Sequence, residues 1–339
     1  MTTFGFFTRL LDDVSPGERY KLGAEQIRHA EQLGFASAWV AQHHFDRDDG
    51  GLPSPPVFLS HVGALTSQIR LGTAVLCLPM EDPLRTAEDL AVADLLTDGR
   101  LEVGVSSGGT PTAFPAFGLD FEDRYHLAGK ALQTFRTAWS GNAINDTDSR
   151  LYPPAPTLVD RIWQGTMSVP GAERAGAAGD GLMLSRTQGR AADAPRATLA
   201  QVQQPMIDAY LAALPAGRTP RILASRTAFV ADTHEEAMQY AEAGLRNATT
   251  RWPWLFPGIP DEGDASLEEL IRATDTHVGS AEAVAASLAA DTSLEAVDEV
   301  SFQVHYVDAP HPKVLRSLEL LATAVAPALG WSAAADAVR

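Results

Sequence analysis

A single cysteine, Cys77, stands among 339 residues, so no internal disulfide can form and a reducing compartment is the natural setting. No segment approaches the run of about 18 apolar residues that spans a bilayer. The N-terminus, Met1-Thr2-Thr3-Phe4-Gly5-Phe6-Phe7-Thr8-Arg9, lacks the basic head and long apolar stretch of an export signal. Together these lacks predict a cytoplasmic protein with no membrane association. Basic residues are scarce too: 26 Lys and Arg face 43 Asp and Glu, a formal net charge of -17. A field of that sign serves solubility, repels phosphate backbones and anionic lipid, and speaks against nucleic acid as a partner. Internal repeats and low-complexity tracts are also missing.

What is present is an ordinary globular composition, 45% apolar and 20% charged, long enough for a large core. Short β-branched or aromatic runs alternate with helical patterns from end to end, which predicts a parallel sheet with covering helices. Strands are expected at 3–8, 36–41, 70–78, 101–106, 161–166, 181–185, 222–230 and 299–306. Helix starts carry recognisable caps: Ser15-Pro16-Gly17-Glu18, Asp82-Pro83 and Thr233-His234-Glu235-Glu236. Eight strand-then-helix units predict a closed (β/α)8 TIM barrel forming one domain over residues 1–339. Residues 246–277, with Trp252 and Trp254 among them, read as an insertion between the seventh and eighth strands. It is either a lid over the barrel mouth or a segment packed on the rim or a partner subunit.

Barrel active sites lie at the carboxyl ends of the strands. The second strand ends in Gln42-His43-His44-Phe45. Successive strand residues face opposite ways, so one histidine faces the lumen, and a metal chelate built on the pair is disfavoured. A lumen-facing histidine suits general acid–base work or simply fills the core. Small Gly72, Thr73 and Ala74 on the third strand leave room for a flat ring, or reflect ordinary small–large packing. Ser106-Ser107-Gly108-Gly109 ends the fourth strand with hydroxyls and glycines that fit a ligand or a tight turn. After the fifth strand, Met167-Ser168-Val169-Pro170-Gly171 opens a helix whose free N–H groups favour an anion. Arg186, after the sixth strand, can add charge there or serve as a solvated cation.

In order along the chain, these stretches resemble the bacterial-luciferase-like, flavin-dependent monooxygenases. The resemblance is carried by Gly34 to Phe45, Ile69 to Pro79, Asp82 to Glu88, Gly99-Arg100 and Val278 to Val284, while Ile162 to Arg190 is similar to an uncharacterised FMN-dependent subgroup. It implies a TIM barrel that takes reduced FMN from a separate reductase and uses O2 to oxygenate a small organic substrate such as an aldehyde or ketone. It implies catalytic roles for His43 and its neighbour His44. It also implies a non-proline cis peptide at Ala74-Val75 against the flavin, FMN contacts from Ser106, Ser107 and Met167, and phosphate contacts from Ser168 and Gly171. A homodimer is expected. Three positions depart from the family pattern. Gln42 replaces a common glutamate. Ser107 replaces an arginine of luciferase, which leaves Arg186 as the expected phosphate counter-charge. Ser106 replaces a cysteine, which argues against light emission. The rivals are hydride transfer with a deazaflavin (F420), a non-catalytic flavin-binding protein, and a metal-dependent hydrolase using His43 and His44.

Overall fold

Nine parallel strands are present among the described residues: β1 (Thr3–Thr8), β2 (Ser37–Val40), β3 (Arg70–Cys77), β4 (Leu101–Ser106), β5 (Ile162–Thr166), β6 (Gly181–Leu184), β7 (Ile222–Val230), β8 (Thr276–Gly279) and β9 (Glu299–Gln303). The computed structural model describes residues 2–191, 193–251, 265–304 and 309–333. Seven strands pair in chain order from β1 to β7; β7 then pairs with β9 and β9 with β1, closing an eight-stranded barrel. The expected (β/α)8 architecture is therefore present. The strand expected to end the barrel runs only to Gln303, and positions 305 and 306 lie outside the described residues.

Helices α1 (Pro16–Gln32), α2 (Pro55–Gly63), α3 (Pro83–Leu96), α4 (Arg124–Trp139), α5 (Val169–Ala178), α6 (Leu199–Ala213), α7 (His234–Arg251), α8 (Leu267–Ala273), α9 (Ala281–Ala289) and α10 (His311–Leu320) alternate with the strands. Local chemistry sets their ends. Ser15 accepts from the Glu18 amide at 3.4 Å, Asp82 from Leu84 and Arg85 at 3.0 and 2.9 Å, and Thr233 from Glu236 at 3.1 Å. Gly34, just beyond α1, has φ +85°, a conformation that glycine adopts without a steric penalty. Among the described residues, no helix is long and apolar enough to cross a membrane.

Side-chain alternation sorts each strand into a lumen face and a helix face. Phe7, Trp39, Ala41, Trp163, Met183 and Leu223 meet inside the barrel as an apolar plug, with Ala74 and Val75 packed against it. Gly72 does not leave open volume, as its size suggested: a Cβ there would sit 2.2 Å from the Trp39 indole, which already fills that space. Below the plug, at the amino end, polar groups satisfy one another. Glu299 accepts from Ser37 Oγ, from Trp39 Nε1 at 2.8 Å and from Arg70 Nη2; Glu102 accepts from Trp163 Nε1 at 2.6 Å and Arg70 Nη1 at 3.3 Å. Gly5 on β1 makes the crossing possible, because a Cβ there would come 2.4 Å from Ser37 Oγ.

The insertion expected at 246–277 is less irregular than its sequence suggested. Arg246 lies on α7, and Ser266 caps α8 in a reciprocal capping box with Glu269. Residues 276–279 form β8, paired in parallel with the second half of β7. Buried Leu270 and the four buried residues of β8 tie these pieces to the barrel. Positions 252–264, including Trp252 and Trp254, lie outside the described residues.

Candidate active site

The carboxyl end of the barrel gathers most of the singled-out residues. Trp39 and Ala41 line the lumen, and His43 continues their alternation past the end of β2. Its Nδ1 lies 2.9 Å from Asp49 Oδ2, and Asp49 is in turn paired with Arg9. The backbone holds this arrangement: the His43 amide donates to Leu52 at 3.0 Å and the Gly51 amide to Arg9 at 3.1 Å. Gly50 is needed beside the ring, because a Cβ there would come within 2.6 Å of it.

Burial first, then the Arg9 charge, lowers the His43 pKa; Asp49 pulls in the opposite direction without prevailing. Burial works to raise the Asp49 pKa, but its contacts with His43 and Arg9 outweigh that and keep the carboxyl ionised. A neutral imidazole beside a carboxylate carries its proton on Nδ1, which leaves Nε2 as the acceptor. Arg9 and Asp49 were missed in the sequence. Arg9 carried a usable signal: it lies two residues beyond lumen-facing Phe7, so alternation turns a cation inward.

His44 has a different environment. It packs edge-on against Phe117 with ring centroids 4.9 Å apart, and its Nε2 is buried with no hydrogen-bond partner. Burial lowers its pKa, against an opposing pull from Glu81. The two histidines are therefore not brought together on one group, and among the described residues no cluster of three potential metal ligands occurs.

The peptide Ala74-Val75 is cis, at the point where the β3–β4 register shifts between Thr73 and Leu76. Thr73 Oγ1 secures this irregularity, donating to the Gly104 carbonyl at 2.7 Å and accepting from the Gly104 amide at 2.9 Å. Val75 faces Gly165 on β5, where a Cβ would lie 2.9 Å from Val75 Cγ1 and 3.9 Å from Ser106 Cβ. Ala74, Val75, Ser106 and Gly165 thus form one wall of small groups. Ser106 Oγ accepts from the Gly108 amide at 3.1 Å, and Ser107 is half-buried in the same turn.

Gln42, where the family pattern has a glutamate, uses both ends of its amide. Oε1 accepts from the Cys77 amide at 2.7 Å; Nε2 donates to the Pro53 carbonyl at 3.1 Å and to Glu81 at 2.5 Å. A carboxylate cannot make the two donations, so Gln42 stitches β2 to the turn after β3 rather than relaying protons. Burial, aided by Glu81, pushes the Cys77 thiol up to about 12, so it stays protonated and unreactive.

On the β5–α5 side, Ser168 caps α5, accepting from the Gly171 amide at 3.3 Å, and Thr166 Oγ1 accepts from the Ser168 amide at 3.2 Å. A Cβ on Gly171 would stand 1.9 Å from Thr166 Oγ1, so only glycine fits this exposed cradle of amides and hydroxyls. Met167 is 57% exposed beside it, and its carbonyl accepts from Gln188 at 2.9 Å. Arg186 is buried and donates to Thr227 on β7 at 3.3 Å.

A sequence model of the luciferase-like monooxygenase family matches residues 2–297. The chain belongs to that family. An uncharacterised protein of Sinorhizobium fredii is 42% identical over 29% of this chain and 28% of its own length. The 4-hydroxyprotoasukamycin monooxygenase of Streptomyces nodosus is 26% identical over 97% of this chain and 93% of its own. Among solved structures, the Streptomyces bottropensis monooxygenase RslO1 superposes with a TM-score of 0.77 at 24% identity, covering 96% of this chain and 99% of its own. The FMN complex of the oxygenating component of Pseudomonas putida 3,6-diketocamphane monooxygenase gives 0.76 at 19% identity, covering 97% and 99%. The F420-dependent tetrahydromethanopterin reductase of Methanopyrus kandleri gives 0.69 at 16% identity, covering 96% and 99%. These likenesses establish a shared fold.

Proposed function

We propose that this chain is a flavin-dependent monooxygenase that uses reduced FMN and O2 to oxygenate a small organic substrate such as an aldehyde or ketone. The observation that carries the reading is the small-group wall of Ala74, Val75, Ser106 and Gly165 at the same barrel mouth as the His43–Asp49–Arg9 chain. The residues present fit the cofactor. The wall offers a flat ring no bulky obstruction, and the Ser168–Gly171 cradle offers its phosphate a helix N-terminus with hydroxyls alongside. Gly171 is required by that cradle itself.

When bound, reduced FMN supplies the electrons that activate O2, so that one oxygen atom enters the substrate and the other leaves as water. The protein's part is positioning, water exclusion and proton handling. The plug of Phe7, Trp39, Trp163 and Leu223 closes the lumen below the site against water. Asp49, kept ionised by Arg9, holds the Nδ1 proton of His43. His43 Nε2 is then free to take up a proton at the mouth and return it. Cys77 lies beside Ser106 but burial holds its thiol protonated, which fits chemistry centred on the flavin rather than on a thiolate.

Equilibrium titration with FMN and with F420, followed by substrate-stimulated O2 consumption with a flavin reductase supplying reduced FMN, tests the reading. FMN binding with substrate-dependent uptake is expected. Preference for F420 without O2 uptake would replace it by hydride transfer, and tight flavin binding with no substrate-dependent uptake by a flavin carrier. We further propose a cytoplasmic homodimer. Val57 on α2 and Val92, Leu95 and Leu96 on α3 are exposed apolar side chains on helices that pack together, as a buried interface requires. Sedimentation analysis showing only monomers would refute the dimer.

A further inference from the structure

Above the apolar plug, the β7–β9 side of the lumen holds two neighbouring side chains whose buried polar atoms lack partners. On β9, Glu299, Ser301 and Gln303 share the lumen face, since Glu299 bonds Ser37 and Trp39 across the barrel. Gln303 is fully buried, yet neither its Oε1 nor its Nε2 has a hydrogen-bond partner. On β7, Ser225 follows lumen-facing Leu223 by two residues, and its buried Oγ is unpartnered as well. The two strands are adjacent, with Ser225 opposite Ser301 and Thr227 opposite Gln303. An orphaned buried amide costs about 1–3 kcal/mol for each group left unsatisfied, so a folded protein keeps one only where something else completes it.

Donor and acceptor counting narrows the class of ligand edge that fits. Gln303 offers a donor and an acceptor side by side, and Ser225 adds a hydroxyl that can do either. A ketone or aldehyde only accepts and would leave Oε1 stranded. An apolar edge would strand both atoms. A cis-amide edge, with N–H beside C=O, satisfies both at once. The isoalloxazine ring has such an imide at one end and an apolar dimethylbenzene at the other, so the seat also selects which end of the ring is buried. We propose that Gln303 and Ser225 receive the imide edge of the bound flavin and thereby orient the ring in the barrel mouth. This rests on the flavin reading above, and it holds for FMN and deazaflavin alike because both carry the imide.

The test compares FMN with 3-methyl-FMN, in which the imide N–H is replaced by a methyl group, by equilibrium titration of the full-length protein. The wild-type protein is expected to prefer FMN by about tenfold or more. Gln303→Leu should weaken FMN by a similar factor and bring the ratio towards one. The same variant removes two orphaned atoms, so the flavin-free protein should melt at an unchanged or higher temperature. Equal binding of both flavins by the wild type overturns the seat, as it would if a lactam-bearing substrate used Gln303 instead, and leaves the flavin reading standing. Failure of both flavins to bind overturns both. A flavin-free Gln303→Leu protein with clearly lowered melting temperature also overturns the seat, since its amide would then have partners in the fold.

Discussion

The two ends of the barrel lumen are built from the same kinds of residue and end in opposite states. At the amino end, Glu299, Glu102, Arg70, Ser37, Trp39 and Trp163 form a closed network in which each charge meets a partner. At the carboxyl end, His44, Ser225 and Gln303 hold buried polar atoms with no partner. Burying polar groups is tolerable only when they are paired, so the first end reads as structure and the second as a place for a ligand. The wall of indoles and apolar side chains between them keeps the two regimes apart.

The sharpest way to break this contrast is at His43. His43→Ala is expected to retain FMN binding while losing substrate-coupled oxygenation by about 10²–10⁴-fold, measured as product formed per O2 consumed. Unchanged coupling would remove His43 from the chemistry. Asp49→Asn should act through His43: losing the carboxylate removes an influence that raises the histidine pKa, so the acidic limb of the pH–rate profile should move to lower pH. At the other end, Arg70→Met leaves Glu299 and Glu102 without their shared cation. It should cost about 3 kcal/mol in denaturant unfolding, the low end for a broken buried pair because Arg70 is itself 34% exposed. Flavin affinity should be much less affected; if it falls as far as stability does, the separation of the two ends is wrong.

A smaller effect is expected at the rim. Gly171→Ala forces a Cβ onto Thr166 Oγ1 and should weaken FMN by about tenfold while leaving riboflavin, which has no phosphate, nearly unchanged. Equal losses for both would mean the cradle does not hold the phosphate. The smallest lies outside the lumen. Burial, with Arg226 nearby, lowers the pKa of His277 on β8 to about 4, from 6.5. The folded state refuses a proton that the unfolded state accepts, so this contribution to stability is full above 6.5 and is lost as pH falls towards 4. Asp275, raised to about 6 by burial, works in the opposite sense, its contribution present at low pH and lost as pH rises through 6. His277→Gln should flatten the acid-side decline in unfolding free energy, read from denaturant titrations across pH, by an amount on the order of 1 kcal/mol. An unaltered slope would show that other groups set it.

Much of the barrel was legible because its signals are local. The strand at 101–106 and that at 222–230 match β4 and β7 residue for residue, since β-branched runs bounded by turn residues leave little choice. Helix caps at Ser15, Asp82 and Thr233 were equally readable. The cis peptide at Ala74-Val75 came through family resemblance and falls where that resemblance put it, while the helix start at Ser168 and Gly171 was read from the residues themselves, and Ser168 does cap it. Other features were opaque. β8 is only four residues long and sits after a segment that reads as loop, so periodicity had nothing to count. Gly72 looked like open space because the residue that fills it, Trp39, lies on another strand.

By itself the sequence determined the alternation of strands and helices, hence a barrel, and the strand ends at which chemistry can occur. Periodicity and capping act between neighbours, so one dimension suffices to read them. Only the tertiary structure decided that His43 leans on Asp49 and Arg9, that Gln42 is a stitch, and that Gln303 is buried without a partner. Each of these is a contact, or a missing contact, between groups that the chain brings together only by closing on itself.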